Sequence, residues 1–138
     1  GRLDEAIEQF KRAVEKDPND ARAYYGWGLA FFTFGKYEEA IEQYRRAVER
    51  NPEGPQGSYD WGFALFMLGR YEEAIEDFLA SIKYGDNAQA RYHLGRAYQA
   101  TERPDEARAE FTKAIEMGLD EKDKADAQRR LEELATAG

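Results

Sequence analysis

One octapeptide occurs twice in near-identical form, and the interval between its copies constrains the fold more than any other feature. Gly35-Lys36-Tyr37-Glu38-Glu39-Ala40-Ile41-Glu42 returns 34 residues later as Gly69-Arg70-Tyr71-Glu72-Glu73-Ala74-Ile75-Glu76. A third copy, Gly1-Arg2-Leu3-Asp4-Glu5-Ala6-Ile7-Glu8, lies 34 residues upstream. A looser fourth, Glu102-Arg103-Pro104-Asp105-Glu106-Ala107-Arg108, follows after 33. Each copy sets an aromatic residue four positions after its alanine, at Phe10, Tyr44, Phe78 and Phe111, and a small residue three further on, at Ala13, Ala47, Ser81 and Ala114. Self-similarity at such a period marks a chain built of stacked supersecondary units.

A second pattern shares the period. Trp27-Gly28-x-Ala30-Phe31 recurs as Trp61-Gly62-x-Ala64-Leu65 and as Leu94-Gly95-x-Ala97-Tyr98. Apolar and small residues at i, i+3, i+4 and i+7 predict helices. Each unit therefore reads as a helix, a short turn at Gly35 or Gly69, and a second amphipathic helix. Asp17-Pro18 and Asn51-Pro52 close second helices, because the residue before proline disfavours the helical region. The 138 residues suit one domain. Residues 1–20 match the second helix of a partial unit, and 21–54, 55–87 and 88–121 are full units. The segment 122–138, with Ala127, Leu131 and Leu134 on one apolar stripe, is expected to be a C-terminal capping helix at which the array stops or frays.

The pattern resembles the tetratricopeptide repeat, whose signature runs W-x2-L-G-x2-Y, then A-x3-F, then P. In 21–54 the signature falls on Tyr24, Trp27, Gly28, Phe31, Ala40, Tyr44, Ala47 and Pro52. In 55–87 it falls on Ser58, Trp61, Gly62, Leu65, Ala74, Phe78, Ser81 and Asp86, and in 88–121 on Arg91, Leu94, Gly95, Tyr98, Ala107, Phe111, Ala114 and Leu119. The resemblance implies an all-α fold, a right-handed superhelical array of antiparallel helix-turn-helix repeats (an α-solenoid). There are departures: Ser58 and Arg91 at the first position, no closing proline after Pro52, and Glu102 in place of the turn glycine. They leave the loops at 84–88 and 117–122 open.

Catalytic chemistry is thin. The acidic pairs Asp4-Glu5, Glu38-Glu39, Glu72-Glu73 and Asp105-Glu106 could suggest acid–base work, but they recur at the start of each second helix, where carboxylates meet the positive end of the helix dipole. His93 is the only histidine and there is no cysteine, so neither a structural zinc site nor a convincing nucleophilic triad can be built, and no phosphate-binding glycine motif is present. The expectation is a protein that is not an enzyme and has no cofactor. A formal net charge of -8 argues against nucleic acid or an anionic membrane surface as the main partner. The longest apolar run, Phe63 to Leu68, is too short for membrane insertion. No signal peptide is visible. Lack of cysteine suits a cytoplasmic, periplasmic or engineered protein alike, leaving the compartment open.

The resemblance implies a protein–protein interaction scaffold, with first helices lining a concave groove for a peptide or partner helix. Groove positions carried over are Arg22, Tyr25, Leu29 and Phe32 in the first full unit, and Tyr59, Asp60, Phe63, Phe66 and Met67 in the second. Tyr92, His93 and Arg96 follow in the third. Tyr25, Tyr59 and Tyr92 form a ladder that either packs or binds. Leu29 and Phe63 stand where the family often has a polar asparagine, so an apolar, aromatic groove is expected, with Arg22, His93 and Arg96 as a modest basic component. Tyr25, Leu29 and Asp60 occupy positions where the family's carboxylate-clamp co-chaperones carry lysine and asparagines, which excludes that subclass. The alternative is a self-assembling homo-oligomer. Leu3, Ile7, Phe10 and Val14 belong to a second helix without its first, so either the chain is a fragment of a longer array or a neighbouring molecule supplies the missing face.

Overall fold

The computed structural model describes residues 1–137; Gly138, the last residue of the expected capping helix, lies outside the described residues. Among the described residues there are eight α-helices and no strand: α1 (Arg2–Lys16), α2 (Ala21–Thr33), α3 (Tyr37–Arg50), α4 (Pro55–Met67), α5 (Tyr71–Tyr84), α6 (Ala88–Ala100), α7 (Pro104–Met117) and α8 (Glu121–Ala137). Each helix packs on the next in sequence, closest within the pairs α2/α3, α4/α5 and α6/α7. The architecture is an all-α solenoid of helix-turn-helix repeats.

Local chemistry sets the helix ends. The side chain of Asp20 accepts the Arg22 backbone N–H at 3.0 Å, and that of Asn87 accepts the Ala90 N–H at 2.9 Å, two N-caps that satisfy otherwise orphaned donors. Pro55 and Pro104 open α4 and α7, where a missing N–H costs nothing. All four acidic pairs lie in first turns of second helices. The turns inside the three pairs are the same motif. After α2, Lys36 N–H reaches Phe31 O and Gly35 N–H reaches Phe32 O, both at 2.9 Å. Arg70 to Leu65 and Arg103 to Tyr98 repeat the longer bond at 2.9 Å. This closure needs a left-handed residue. Gly35 (φ 74°) and Gly69 (φ 80°) supply it without a Cβ penalty, whereas Glu102 is forced to φ 60°. Phe34, just before the first of these turns, is left exposed.

Within a pair, the ring from the second helix lies directly on the glycine of the first. A Cβ built on Gly28 would stand 2.6 Å from the Tyr44 ring, one on Gly62 3.0 Å from Phe78, and one on Gly95 2.8 Å from Phe111. Tyr44, Phe78 and Phe111 are fully buried, as are Ala40, Ala74 and Ala107. Ser81, buried at the third small position, donates from Oγ to Pro55 O at 2.8 Å; it is a packing group tied across its own helix pair.

Between units the contacts run along the first helices. The Tyr25 hydroxyl donates to Asp60 of α4, and the Tyr92 hydroxyl donates to Asp126 of α8. Asp126 thus holds the place that Asp60 holds, and α8 continues the register of a first helix, with Ala127 and Leu134 buried and Leu131 against the same cluster. At the other end no residue of α1 is fully buried. Ile7, Phe10 and Val14 pack against the cluster of Tyr24, Trp27 and Ala47, so α2 and α3 cover part of the face expected to be bare, and Leu3 is half-buried.

Two groove expectations are corrected here. Tyr92 and His93 are buried, not groove-lining. His93 is packed among rings, with its centroid 4.8 Å from Phe63, 5.0 Å from Tyr92 and 6.1 Å from Phe78. Burial, reinforced by the nearby Arg96 charge, pushes its pKa down to about 4. It is neutral at pH 7 and supplies no positive charge.

A second titratable group is out of place. Glu110 of α7 pairs with Arg91 of α6 at 3.0 Å. At the equivalent positions one unit earlier stand Asp77 and Ser58, and one unit before that Gln43 and Tyr24. Asp77 therefore has a small serine where its counterpart has an arginine. Burial first, then the charges of Glu76 and Glu73, raise its pKa to about 7.

Two predictions follow from these strained positions. Glu102→Gly removes a non-glycine residue from the left-handed region and should stabilise the fold by about 1 kcal/mol in urea titration; an unchanged or lower midpoint would contradict the strain. The second concerns pH. The depressed His93 pKa makes its contribution complete above about 6.5 and lost as pH falls toward 4, because the unfolded chain binds the proton first. The raised Asp77 pKa acts oppositely, since the folded state holds its proton between about 3.8 and 7. Asp77→Asn should therefore raise the thermal midpoint at pH 8 and steepen its fall between pH 7 and 4.5. Parallel pH profiles for the two proteins would show that Asp77 titrates normally.

Candidate functional site

The exposed faces of α2, α4 and α6 enclose a hollow of about 420 Å3, lined by Leu29, Phe32, Tyr44, Gln56, Tyr59, Asp60, Phe63, Asn87 and Gln89. Helical spacing puts these residues here: Leu29 and Phe32 share one face of α2, and Gln56, Tyr59, Asp60 and Phe63 recur at i, i+3, i+4 and i+7 on α4. The wall is apolar. Phe32 and Phe63 meet across the two units with ring centroids 5.6 Å apart, and Tyr59 stands edge-on to Phe63 at 6.3 Å. Leu29 at the lip is 38% exposed, and Met67, further along α4, is 47% exposed. The remaining groups are polar. Asp60 accepts from Tyr25 and from Gln56 Nε2, the latter at 3.0 Å.

The other expected groove residues are distributed around this hollow. Tyr25, half-buried, lines a smaller hollow of about 170 Å3 that also takes in Arg22, Val48 and Pro55 and shares Gln56 with the first. Arg22 is almost wholly solvated and its nearest carboxylate is its own N-cap, Asp20, at 3.3 Å. Phe66 lies beyond Phe63, with the Arg96 guanidinium 4.7 Å above its ring and 5.7 Å from that of Tyr92. The Nε of Arg96 is buried with no hydrogen-bond partner among the described residues. The same end holds Gln99 and Arg130. Burial and the Asp60 hydrogen bond raise the Tyr25 pKa, and burial raises those of Tyr59 and Tyr44, so all three phenols stay neutral.

Two rungs of the tyrosine ladder are inter-unit struts, while the third, Tyr59, both packs and lines the hollow. Tyr25 and Tyr92 spend their hydroxyls on Asp60 and Asp126, and Tyr59 packs on Phe63, Phe78 and His93. Sequence reasoning assigned Tyr44 to the core alone, yet its side chain also lines the hollow while its hydroxyl has no partner. The signal was available: Phe10, Phe78 and Phe111 hold the equivalent positions, so packing there does not require a hydroxyl. Asn87 was likewise missed, being an N-cap placed by the 84–88 loop.

No group of three or more histidine, cysteine, aspartate or glutamate residues suited to a metal ion occurs among the described residues, nor is any helix long and apolar enough to cross a membrane. No curated protein matches the chain in sequence. Among solved structures, two of MamA superpose with TM-scores of 0.81 and 0.80 at 26% and 27% identity. They cover 84% and 85% of this chain, which spans 68% and 64% of theirs. YrrB, described as a TPR protein with an unusual peptide-binding site, superposes with a TM-score of 0.80 at 23% identity, over 91% of this chain and 63% of its own. The tetratricopeptide-repeat family model matches residues 1–58 and again 59–126. With those matches, the three glycine-on-ring helix pairs belong to a named pattern: the chain is a member of the tetratricopeptide-repeat family.

Proposed function

We propose that the chain is a non-enzymatic interaction scaffold whose groove over α2, α4 and α6 takes an extended or helical segment of a protein partner through aliphatic or aromatic anchors. The observation that carries this reading is Leu29, more than a third exposed at the lip of a hollow walled by Phe32 and Phe63. Contiguous apolar surface of this kind marks binding, and the exposed Met67 extends it with an adaptable side chain. Tyr25, Leu29 and Asp60 do not provide the cationic clamp for a C-terminal carboxylate, so the anchor is apolar contact. A random-peptide display against the whole chain should return peptides with aromatic or aliphatic residues. Leu29→Asp should weaken them about tenfold or more, as for a central anchor, while Leu79→Asp, an exposed leucine on α5, should not. Charged, non-aromatic binders alone, or indifference to Leu29→Asp, would sink this reading.

A second reading rests on α1, which has no fully buried residue although Leu3, Ile7, Phe10 and Val14 run along one side of it. A second copy of the chain covering that side would give a homo-oligomer. Light scattering should then show mass rising with concentration, and Ile7→Glu should abolish the rise; a strict monomer at high concentration rules it out.

A further inference from the structure

The two inter-unit struts are not equivalent, and their difference points to what the hollow takes. Asp60 of α4 and Asp126 of α8 occupy the same first-helix position, with His93 at its equivalent in α6 between them, and each accepts a tyrosine hydroxyl from the preceding unit. Asp126 is also held by Arg130 Nε at 2.7 Å and Arg129 Nη2 at 2.5 Å. Although burial opposes it, the bonds from Tyr92, Arg130 and Arg129 keep its carboxyl well below the usual range. Asp60 has no such cation. Its other recorded partner is the neutral amide of Gln56, and no basic side chain lies within salt-bridge distance of it among the described residues. Its charge is instead left beside the three rings of Phe32, Tyr59 and Phe63 that line the hollow.

Tyr44 adds an independent observation. Its side chain is fully buried and lines the same hollow, and its hydroxyl has no hydrogen-bond partner. An orphaned buried hydroxyl costs the free protein stability, and the phenylalanines at the equivalent positions show that the fold does without it. Gln89, on the opposite wall, makes no side-chain hydrogen bond among the described residues either.

We infer that this hollow is a subsite for a basic side chain, a lysine or arginine of the partner segment, lying next to the apolar residue that engages Leu29. The inference rests on the groove reading above. A cation would gain an ion pair with Asp60, the negative faces of aromatic rings, and the Tyr44 hydroxyl oxygen as a further acceptor. An acidic side chain would be repelled by Asp60, and a purely apolar one would cover the Asp60 carboxylate with no cation to offset the lost hydration and leave the Tyr44 hydroxyl unpaired. The net charge of -8 steers the same class of partner.

The test uses random-peptide display against the whole chain and against Asp60→Asn, in which the amide oxygen can still accept from Tyr25. The wild-type chain should select lysine or arginine beside an aliphatic or aromatic residue, and Asp60→Asn should keep the apolar preference and lose the basic one. The best peptide, labelled and titrated by fluorescence anisotropy, should bind about tenfold or more weakly to Asp60→Asn and lose affinity in high salt. Tyr44→Phe should weaken binding roughly two- to tenfold with an unchanged or raised thermal midpoint; it carries the test if Asp60→Asn fails to fold. Apolar peptides with no basic enrichment, or enrichment that survives Asp60→Asn, would overturn the subsite and leave the groove standing. Failure to select apolar peptides at all would overturn both.

Discussion

Everything in this array hangs on a ring laid against a glycine. Tyr44 on Gly28, Phe78 on Gly62 and Phe111 on Gly95 bring two helices close enough that a single added methyl group would collide with an aromatic face. The glycine costs the first helix roughly 1 kcal/mol of propensity. What it permits is a large, fully buried aromatic ring, worth several times that in apolar area removed from water. Because the contact recurs with each unit, the helix pairs are nearly congruent, and congruent pairs stack without any one unit possessing a core of its own.

The groove follows from what that contact leaves over. Once one face of each first helix is committed to its glycine, a second face is free to meet the next unit, and it is there that Tyr25 reaches Asp60 and Tyr92 reaches Asp126. The residues between the struts cannot all be buried. Leu29 and Phe32 from one helix and Tyr59 and Phe63 from the next therefore meet around a hollow that belongs to no single repeat.

Fold and site were not equally legible in the sequence. Helix pairs, turns and ring positions could be read because a period written four times is its own control: a ring at Phe10, Tyr44, Phe78 and Phe111 leaves little room for another arrangement. Even the odd turn residue, Glu102, announced its place by standing where Gly35 and Gly69 stand. The groove was legible only as a stripe. Helical spacing placed His93 and Tyr92 on that stripe, yet both are buried, because depth depends on what the neighbouring helices contribute. α8 had been read as a generic cap; by presenting Asp126 in first-helix register it covers Tyr92. His93 sank among Phe63, Phe78 and Tyr92 because rings from three helices converge there. Tyr44 was missed for the converse reason, since membership of the core signature masked the part its side chain takes in lining the hollow.

The units look interchangeable but are not. Arg91 with Glu110 is a charge pair inside one unit, replaced by Ser58 with Asp77 and by Tyr24 with Gln43 in the units before it, while Tyr25 with Asp60 and Tyr92 with Asp126 are bonded across boundaries. Exchanging two whole units would preserve every internal set and break the boundary ones, leaving carboxylates facing the wrong neighbour. Serial order is thus written into the side chains at the seams, so that near-identical parts accept particular neighbours, much as a word is more than its letters.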